Sequence, residues 1–262
     1  MAQRLGQHFL KNTAILRKIA EIINLEPGGL VIEIGPGHGE LTELIRDGKR
    51  KFVLIEKDNE LAANLKQKYE SEKNIEVVCG DALKLLLDIF EKKKEIFLVG
   101  NIPYYITGHL LKIISEAKNR PKRCVLMIQK EVAERITSQP PKMNRLAAIT
   151  QFWGEPGIVM GVLKNNFLPA PKVDSAVILI ERRPRLSEQN LKINYQTIKH
   201  LFQQPRKTVL NNLADWIKKD KASIQIIFEP LKQLLFLRPQ NLKITDIEKI
   251  SEIVNSQLNI YN

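Results

Sequence analysis

The chain carries two cysteines in 262 residues, Cys79 and Cys124. That is too few for a disulfide framework or a four-cysteine metal site. Both read as small core residues of a protein from a reducing compartment. No apolar run approaches the roughly 20 residues that cross a membrane; stretches such as Leu85-Leu86-Leu87 fall far short of it. The opening residues Met1 to Gln7 lack the apolar region of a signal peptide. No internal repeat or low-complexity tract interrupts the chain. These absences lead to the expectation of a cytoplasmic protein with no membrane partner. Acidic residues are also in deficit, 29 against 41 Lys and Arg, for a net charge of +12. A polyanionic partner suits that balance, although a Lys-rich surface alone also produces it. From Glu181 onward there are 14 basic and 8 acidic residues, so the last third carries half of the excess.

What is present divides the chain in two. An apolar fraction of 44% supports a core. Short apolar runs at Leu30–Ile34, Phe52–Ile55, Ile75–Val78, Ile96–Val99 and Cys124–Ile128 alternate with helical patterns. The helical patterns are Asn12–Ile23, Glu40–Arg46, Asn59–Tyr69, His109–Lys118 and Val132–Thr137. This alternation predicts a parallel α/β sheet with crossover helices. A hairpin from Ile158–Met160 to Val177–Ile180 follows. Arg182-Arg183-Pro184-Arg185 marks a change of composition. Beyond it only helices are predicted, at Tyr195–Phe202, Val209–Lys218, Ile224–Leu234 and Ile244–Leu258. The expected domains are 1–185 and 186–262.

The chemistry gathers at the ends of the predicted strands. Val31-Ile32-Glu33-Ile34-Gly35-Pro36-Gly37-His38-Gly39 is strand, glycine turn, then helix. Glycines there allow a tight turn and close approach to a ligand. The spacing Gly-x-Gly-x-Gly differs from that of dinucleotide binding. Glu56 ends the next strand, where a carboxylate can take both hydroxyls of a ribose. Asp81 follows the third strand and can accept from an adenine amine. Asn101-Ile102-Pro103-Tyr104 follows the fourth. An amide, a rigid proline and an aromatic suit a flat base: the amide accepts from an exocyclic amine and the ring stacks. Together these residues make an adenosine-shaped pocket that fits S-adenosylmethionine. Each has a plainer role too: helix capping for Glu56 and Asp81, a loop-orienting carboxylate for Glu33, a buried turn for Tyr104.

At this point the chain closely resembles the ribosomal RNA adenine N6,N6-dimethyltransferases, and among them the bacterial small-subunit (16S) branch. The likeness rests on seven segments in order: Gly6-Gln7-His8-Phe9-Leu10, Glu33-Ile34-Gly35-Pro36-Gly37, Gly80-Asp81-Ala82, Asn101-Ile102-Pro103-Tyr104, Gln129 to Arg135, Pro171 to Ala176, and Arg206-Lys207-Thr208. It covers nearly the whole length. The resemblance implies a Rossmann-like class I methyltransferase sheet with helices on both faces, plus a small all-helical C-terminal domain. It implies dimethylation of two adjacent adenosines in a 3′-terminal hairpin loop of 16S rRNA, within a 30S subunit or its precursor, by a monomer that needs no metal. It carries cofactor contacts onto His8, Leu10, Gly35, Glu56, Asp81 and Asn101, and the reading of the glycine turn adds Glu33 and Gly37 to that set. His8 stands where the family often has asparagine, as does Tyr105, and Pro205 stands where a second basic residue often precedes Arg206.

The amine of adenine is a poor nucleophile because its lone pair is delocalised into the ring. The expected catalytic set answers that difficulty. The Asn101 side-chain carbonyl and the Ile102 backbone carbonyl accept the amine hydrogens, Tyr104 stacks on one face of the base, and Phe167 takes the other. Hairpin core is the competing role for Phe167. RNA contacts are expected at Arg182, Arg183, Arg206 and Lys207, with Arg185 at the junction; a solvated surface charge is the plainer reading of each. The nearest rival is the sister group that methylates large-subunit rRNA, which shares the glycine turn and Asn-Ile-Pro-Tyr. A non-catalytic RNA-binding assembly factor and a DNA adenine transferase are more distant.

Overall fold

The computed structural model describes residues 7–23, 29–183 and 188–258. Nine strands occur among them. They are β1 (Phe9–Leu10), β2 (Leu30–Ile34), β3 (Lys51–Glu56), β4 (Ile75–Cys79), β5 (Ile96–Asn101), β6 (Arg123–Gln129), β7 (Gly154–Val162), β8 (Phe167–Leu168) and β9 (Ser175–Arg182). Seven form one sheet in the order β4-β3-β2-β5-β6-β9-β7, and β1 pairs with β8 separately. Pairing is parallel from β4 through β6 and antiparallel between β6 and β9. The apolar residues of β2 and β5 are explained by burial on both faces, as parallel sheets require. Val31, Phe97, Val99 and Val125 face one side, against Leu16, Ile19 and Ile23 of α1 (Thr13–Ile23) and Leu41 and Ile45 of α2 (Glu40–Ile45). The alternate residues Ile32, Leu98 and Leu126 are buried as well, and strand geometry turns them to the opposite side.

The crossover helices begin where side chains can satisfy their free amides. α3 (Asn59–Lys68) is capped by Asp58, which accepts from Glu60 N and Leu61 N. α4 (Ala82–Lys92) is capped by Asp81. The sequence pattern predicts no helix there, because three consecutive leucines hide the periodicity; Ala82, Leu86 and Phe90 are its buried stripe. α5 (Thr107–Glu116) follows β5, and α6 (Lys130–Ile136) follows β6.

The chain packs as two compact units, 1–134 with 155–182, and 135–154 with 183–262. The second unit holds α7 (Arg145–Trp153), α8 (Glu188–Leu201), α9 (Val209–Ile217), α10 (Lys221–Ile227), α11 (Lys232–Leu235) and α12 (Ile244–Leu258). Its core joins Ala147, Ala148 and Phe152 of α7 to Leu201, Leu213, Phe228 and Ile247. The inclusion of 135–154 departs from the expected boundary near 185. Every residue of α7 from Ala147 to Trp153 is buried, so this helix supplies apolar surface to the later ones. The helix expected over 224–234 is broken instead. Pro230 lacks an amide and cannot continue α10; a short 3-10 turn, Glu229–Leu231, separates α10 from α11.

Gly100 fixes how closely β5 lies beside β2. Its φ is 155°, and a Cβ there would overlap the Ile34 carbonyl. Gly100→Ala is expected to lower stability by at least about 2 kcal/mol. Denaturant unfolding of the variant beside the parent checks this; equal midpoints would refute it.

Candidate active site

The strand order reverses at β2, with β3 on one side and β5 on the other. In open α/β sheets the crevice outside the carboxyl ends at such a point is where ligands bind. A pocket opens there. It brings together His8, Gly35, Gly37, Glu56, Asp81, Asn101, Ile102 and Tyr104, residues far apart in sequence. Leu10 and Glu33 line an adjoining cavity that shares Gly35, Gly37 and Asn101. Lys57 also lines the pocket, although nothing in its sequence context singles it out.

The glycine turn is a backbone requirement. Gly35 and Gly37 have φ of 63° and 60°, which favours glycine. A Cβ on Gly37 would come within 3.0 Å of the Phe9 ring. Glu56 steadies the turn: its Oε2 accepts from Gly37 N at 3.1 Å and its Oε1 from Asp58 N at 3.0 Å. Burial raises the Glu56 pKa, and those N–H bonds oppose the rise. Asp81 keeps its capping role while facing the pocket. One oxygen accepts from Leu83 N at 3.0 Å and the other pairs with Lys57 Nζ at 3.1 Å. Burial would raise the Asp81 pKa, but Lys57 and the Leu83 amide outweigh it and the pKa falls. The site thus holds acceptor-only carboxylates at two successive strand ends, which fits the donor groups of a nucleoside.

Asn101 ends β5. Its Nδ2 donates to the His8 carbonyl at 2.8 Å. Only the NH2 end of a carboxamide can donate to a carbonyl, so that bond fixes the amide's orientation and leaves Oδ1 as an acceptor. Ile102 N bonds Met127 O at 3.0 Å, tying the turn to β6. The Tyr104 hydroxyl meets Ser175 Oγ at 2.8 Å. His8 completes the group. Its Nδ1 lies 2.8 Å from Pro169 O and is therefore the protonated nitrogen, and its ring lies 6.0 Å from that of Tyr104, inclined at 30°.

Phe167 does not join them. It pairs opposite Leu10 in the β1–β8 ribbon, is 3% exposed and belongs to the sheet's core. Withdrawing such a ring costs about 1.5–3 kcal/mol, which offsets the roughly 1–3 kcal/mol of stacking on a base. The two magnitudes are comparable, so the core position does not by itself displace the stacking role. Three of the four expected RNA contacts already have a partner within the protein. Arg182 donates to Arg120 O at 2.9 Å and faces Glu95 at 3.8 Å; Arg183 faces Glu248 at 3.8 Å. Arg206 is exposed, and Lys207 forms an exposed pair with Asp215 at 3.0 Å. Arg185 lies outside the described residues.

Comparison with known proteins gives concordant matches. The family model described as Ribosomal RNA adenine dimethylase matches residues 1–233. A Clostridium botulinum protein named Ribosomal RNA small subunit methyltransferase A is 33% identical over 257 residues, 96% of this chain and 93% of that one. A Bacillus pumilus protein of the same name is 34% identical, covering 97% and 91%. Among solved structures, a dimethyladenosine transferase from Plasmodium falciparum superposes with a TM-score of 0.79 at 26% identity, covering 95% of this chain and 98% of that one. The 23S rRNA methyltransferase ErmE gives 0.73 at 26% identity, covering 94% and 99%.

Glu33, two residues before the turn, is fully enclosed; the Thr42 hydroxyl donates to it at 2.6 Å. Burial pushes its pKa up to about 7. The folded state therefore holds the proton more tightly than the unfolded chain. Its contribution is fully present below the unfolded value near 4.5 and is lost as pH rises through 7. Glu33→Gln keeps the neutral form at every pH. The variant is expected to gain on the parent by roughly 3 kcal/mol between pH 4 and pH 8. Unfolding curves across that range check this, and a constant difference would refute it.

Proposed function

The chain belongs to the ribosomal RNA adenine dimethylase family, and from that premise we propose that it dimethylates N6 of two adjacent adenosines in a hairpin loop near the 3′ end of 16S rRNA. The observation that carries this reading is the array of Gly35, Glu56, Asp81 and Asn101 along four strand ends facing one pocket. S-adenosylmethionine, when bound, supplies a methyl group on a sulfonium that needs no further activation. Glu56 accepts from the ribose hydroxyls and Asp81 from the cofactor's adenine amine. The glycine turn lets the backbone approach, with His8, Leu10 and Glu33 toward the methionine end.

The target amine is prepared by the chain itself. Asn101 Oδ1 and the Ile102 carbonyl accept its hydrogens. A pyramidal nitrogen with an aimed lone pair is thereby favoured. Alignment of this kind supplies much of a transfer rate, and acceptors that meet developing positive charge supply more. Tyr104 stacks on the base. The proton leaves to water. A loop nucleotide suits this pocket because a base that is already unpaired is inexpensive to extrude.

The helical second unit grips the RNA backbone. Arg206 and Lys207 are its contacts, while Arg182 and Arg183 hold the fold. The protein acts as a monomer on a 30S subunit or its precursor. The similarity to ErmE favours a second reading, a large-subunit target. The names of the curated relatives support the small subunit.

One experiment separates the two. Labelled cofactor is incubated with unmethylated small or large subunits, and the methyl groups are located by mass spectrometry. Two adjacent dimethyladenosines in small-subunit RNA are expected; label confined to large-subunit RNA would overturn the proposal. Removing a side chain that neutralises one phosphate should also flatten the salt dependence of RNA binding by about one counterion. Arg206→Ala with Lys207→Ala is expected to lower the slope by about 2. An unchanged slope would remove these residues from the interface.

A further inference from the structure

Tyr105 lines the pocket beside Lys57, and the expected set of cofactor contacts includes neither. We infer that their side chains join across the pocket mouth and bind the nucleoside of S-adenosylmethionine, Tyr105 as a flat cover and Lys57 as the tie that holds it. The inference rests on the placement of that nucleoside at Glu56 and Asp81 proposed above.

The strand order sets the span. Lys57 follows β3, and Tyr105 sits in the 3-10 turn Tyr104–Ile106 after β5. β2 runs between those two strands. Their ends therefore stand two strand spacings apart, about 10 Å. Side chains that meet across that span pass over the end of β2, where Gly35 begins the glycine turn. They do meet. Lys57 Nζ pairs with Asp81 Oδ2 at 3.1 Å, and the Tyr105 hydroxyl shares the same ammonium. The Asp81 bond first, and then the phenol, raise the Lys57 pKa. One ammonium thus links the carboxylate that caps α4 to the turn that follows β5.

The link leaves apolar area available. Tyr105 is 59% exposed, so much of its ring has no cover from the protein. A nucleoside beneath the ring supplies one, because every base has a π face on which an aromatic side chain stacks. The Lys57 side chain is 47% exposed, and exposed charged contacts are weak. The tie opens readily to admit a ligand and still favours the closed position. Asparagine, which often stands at this position in the family, has no ring and is too short to reach the ammonium.

The test compares the parent with Tyr105→Asn, Tyr105→Phe, Lys57→Met and the double variant Lys57→Met with Tyr105→Phe. Both residues are exposed, so these substitutions leave the core intact. Affinity for S-adenosylmethionine and for S-adenosylhomocysteine is measured by calorimetry, and dissociation by stopped flow. Tyr105→Asn removes cover and tie together. It is expected to raise Kd for both ligands about 10-fold, mostly through faster dissociation. Tyr105→Phe keeps the ring and loses the tie, for a rise of about 2- to 5-fold. Added to Lys57→Met, the same substitution should change nothing further, because the tie is already gone. A Tyr105→Asn variant that binds both ligands as the parent does overturns this inference and leaves the proposed function standing. So does a Tyr105→Phe effect of equal size with and without Lys57→Met, which makes the two residues independent. A parent protein that binds neither ligand overturns the proposed function and this inference with it.

Discussion

One hydrogen bond orders the site: the 2.8 Å contact from Asn101 Nδ2 to the His8 carbonyl. It joins the end of a central strand to a segment 93 residues earlier in sequence. It also removes the ambiguity of a carboxamide, which could otherwise present either its donors or its acceptor to a ligand. With the NH2 end committed, the oxygen is what remains for the pocket. The strand behind it cannot shift, because Gly100 brings β5 against β2 too closely for any side chain. The turn ahead of it is pinned by Ile102 N on Met127 O. A group proposed to align an amine needs restraint on all sides, since misplacement by about 1 Å can cost 100-fold in rate.

Charge is distributed to match. The chain carries a net +12, yet its pocket is lined by Glu56 and Asp81 with Glu33 enclosed alongside. A cationic cofactor and an anionic RNA are drawn to different places by such an arrangement. The carboxylates are tuned separately. Glu33 is raised by burial, while Asp81 is lowered by Lys57 and the amide at the start of α4. Asp81 shows how one side chain can serve two ends: capping α4 fixes its carboxylate at the pocket, where we propose that a nucleoside amine meets it.

Much of this was legible in sequence because parallel strands align their carboxyl ends. Gly35, Glu56, Asp81 and Asn101 each follow an apolar run, and a sheet of that kind brings such positions to one edge. What was not legible depends on tertiary packing. The turn of Phe167 into the core is set by its pairing with Leu10 across more than 150 residues. The engagement of Arg182 and Arg183 depends on Arg120, Glu95 and Glu248. α7 is missing from the helices the sequence pattern predicts, and its burial from Ala147 to Trp153 goes with its place in the second unit. The break at Pro230 was readable from proline alone and was outweighed by the apolar periodicity around it. Lys57 carries no motif; its pairing with Asp81 follows from the parallel register of β3 and β4.

The central claim is that Asn101 acts on the target amine, beyond any contact it makes with the cofactor. Single-turnover methyl transfer by Asn101→Ala, with cofactor affinity measured on the same sample, tests it most directly. Loss of transfer by at least about 100-fold with cofactor affinity largely kept is the predicted result. Near-normal transfer, or a loss explained entirely by weaker cofactor binding, would contradict it.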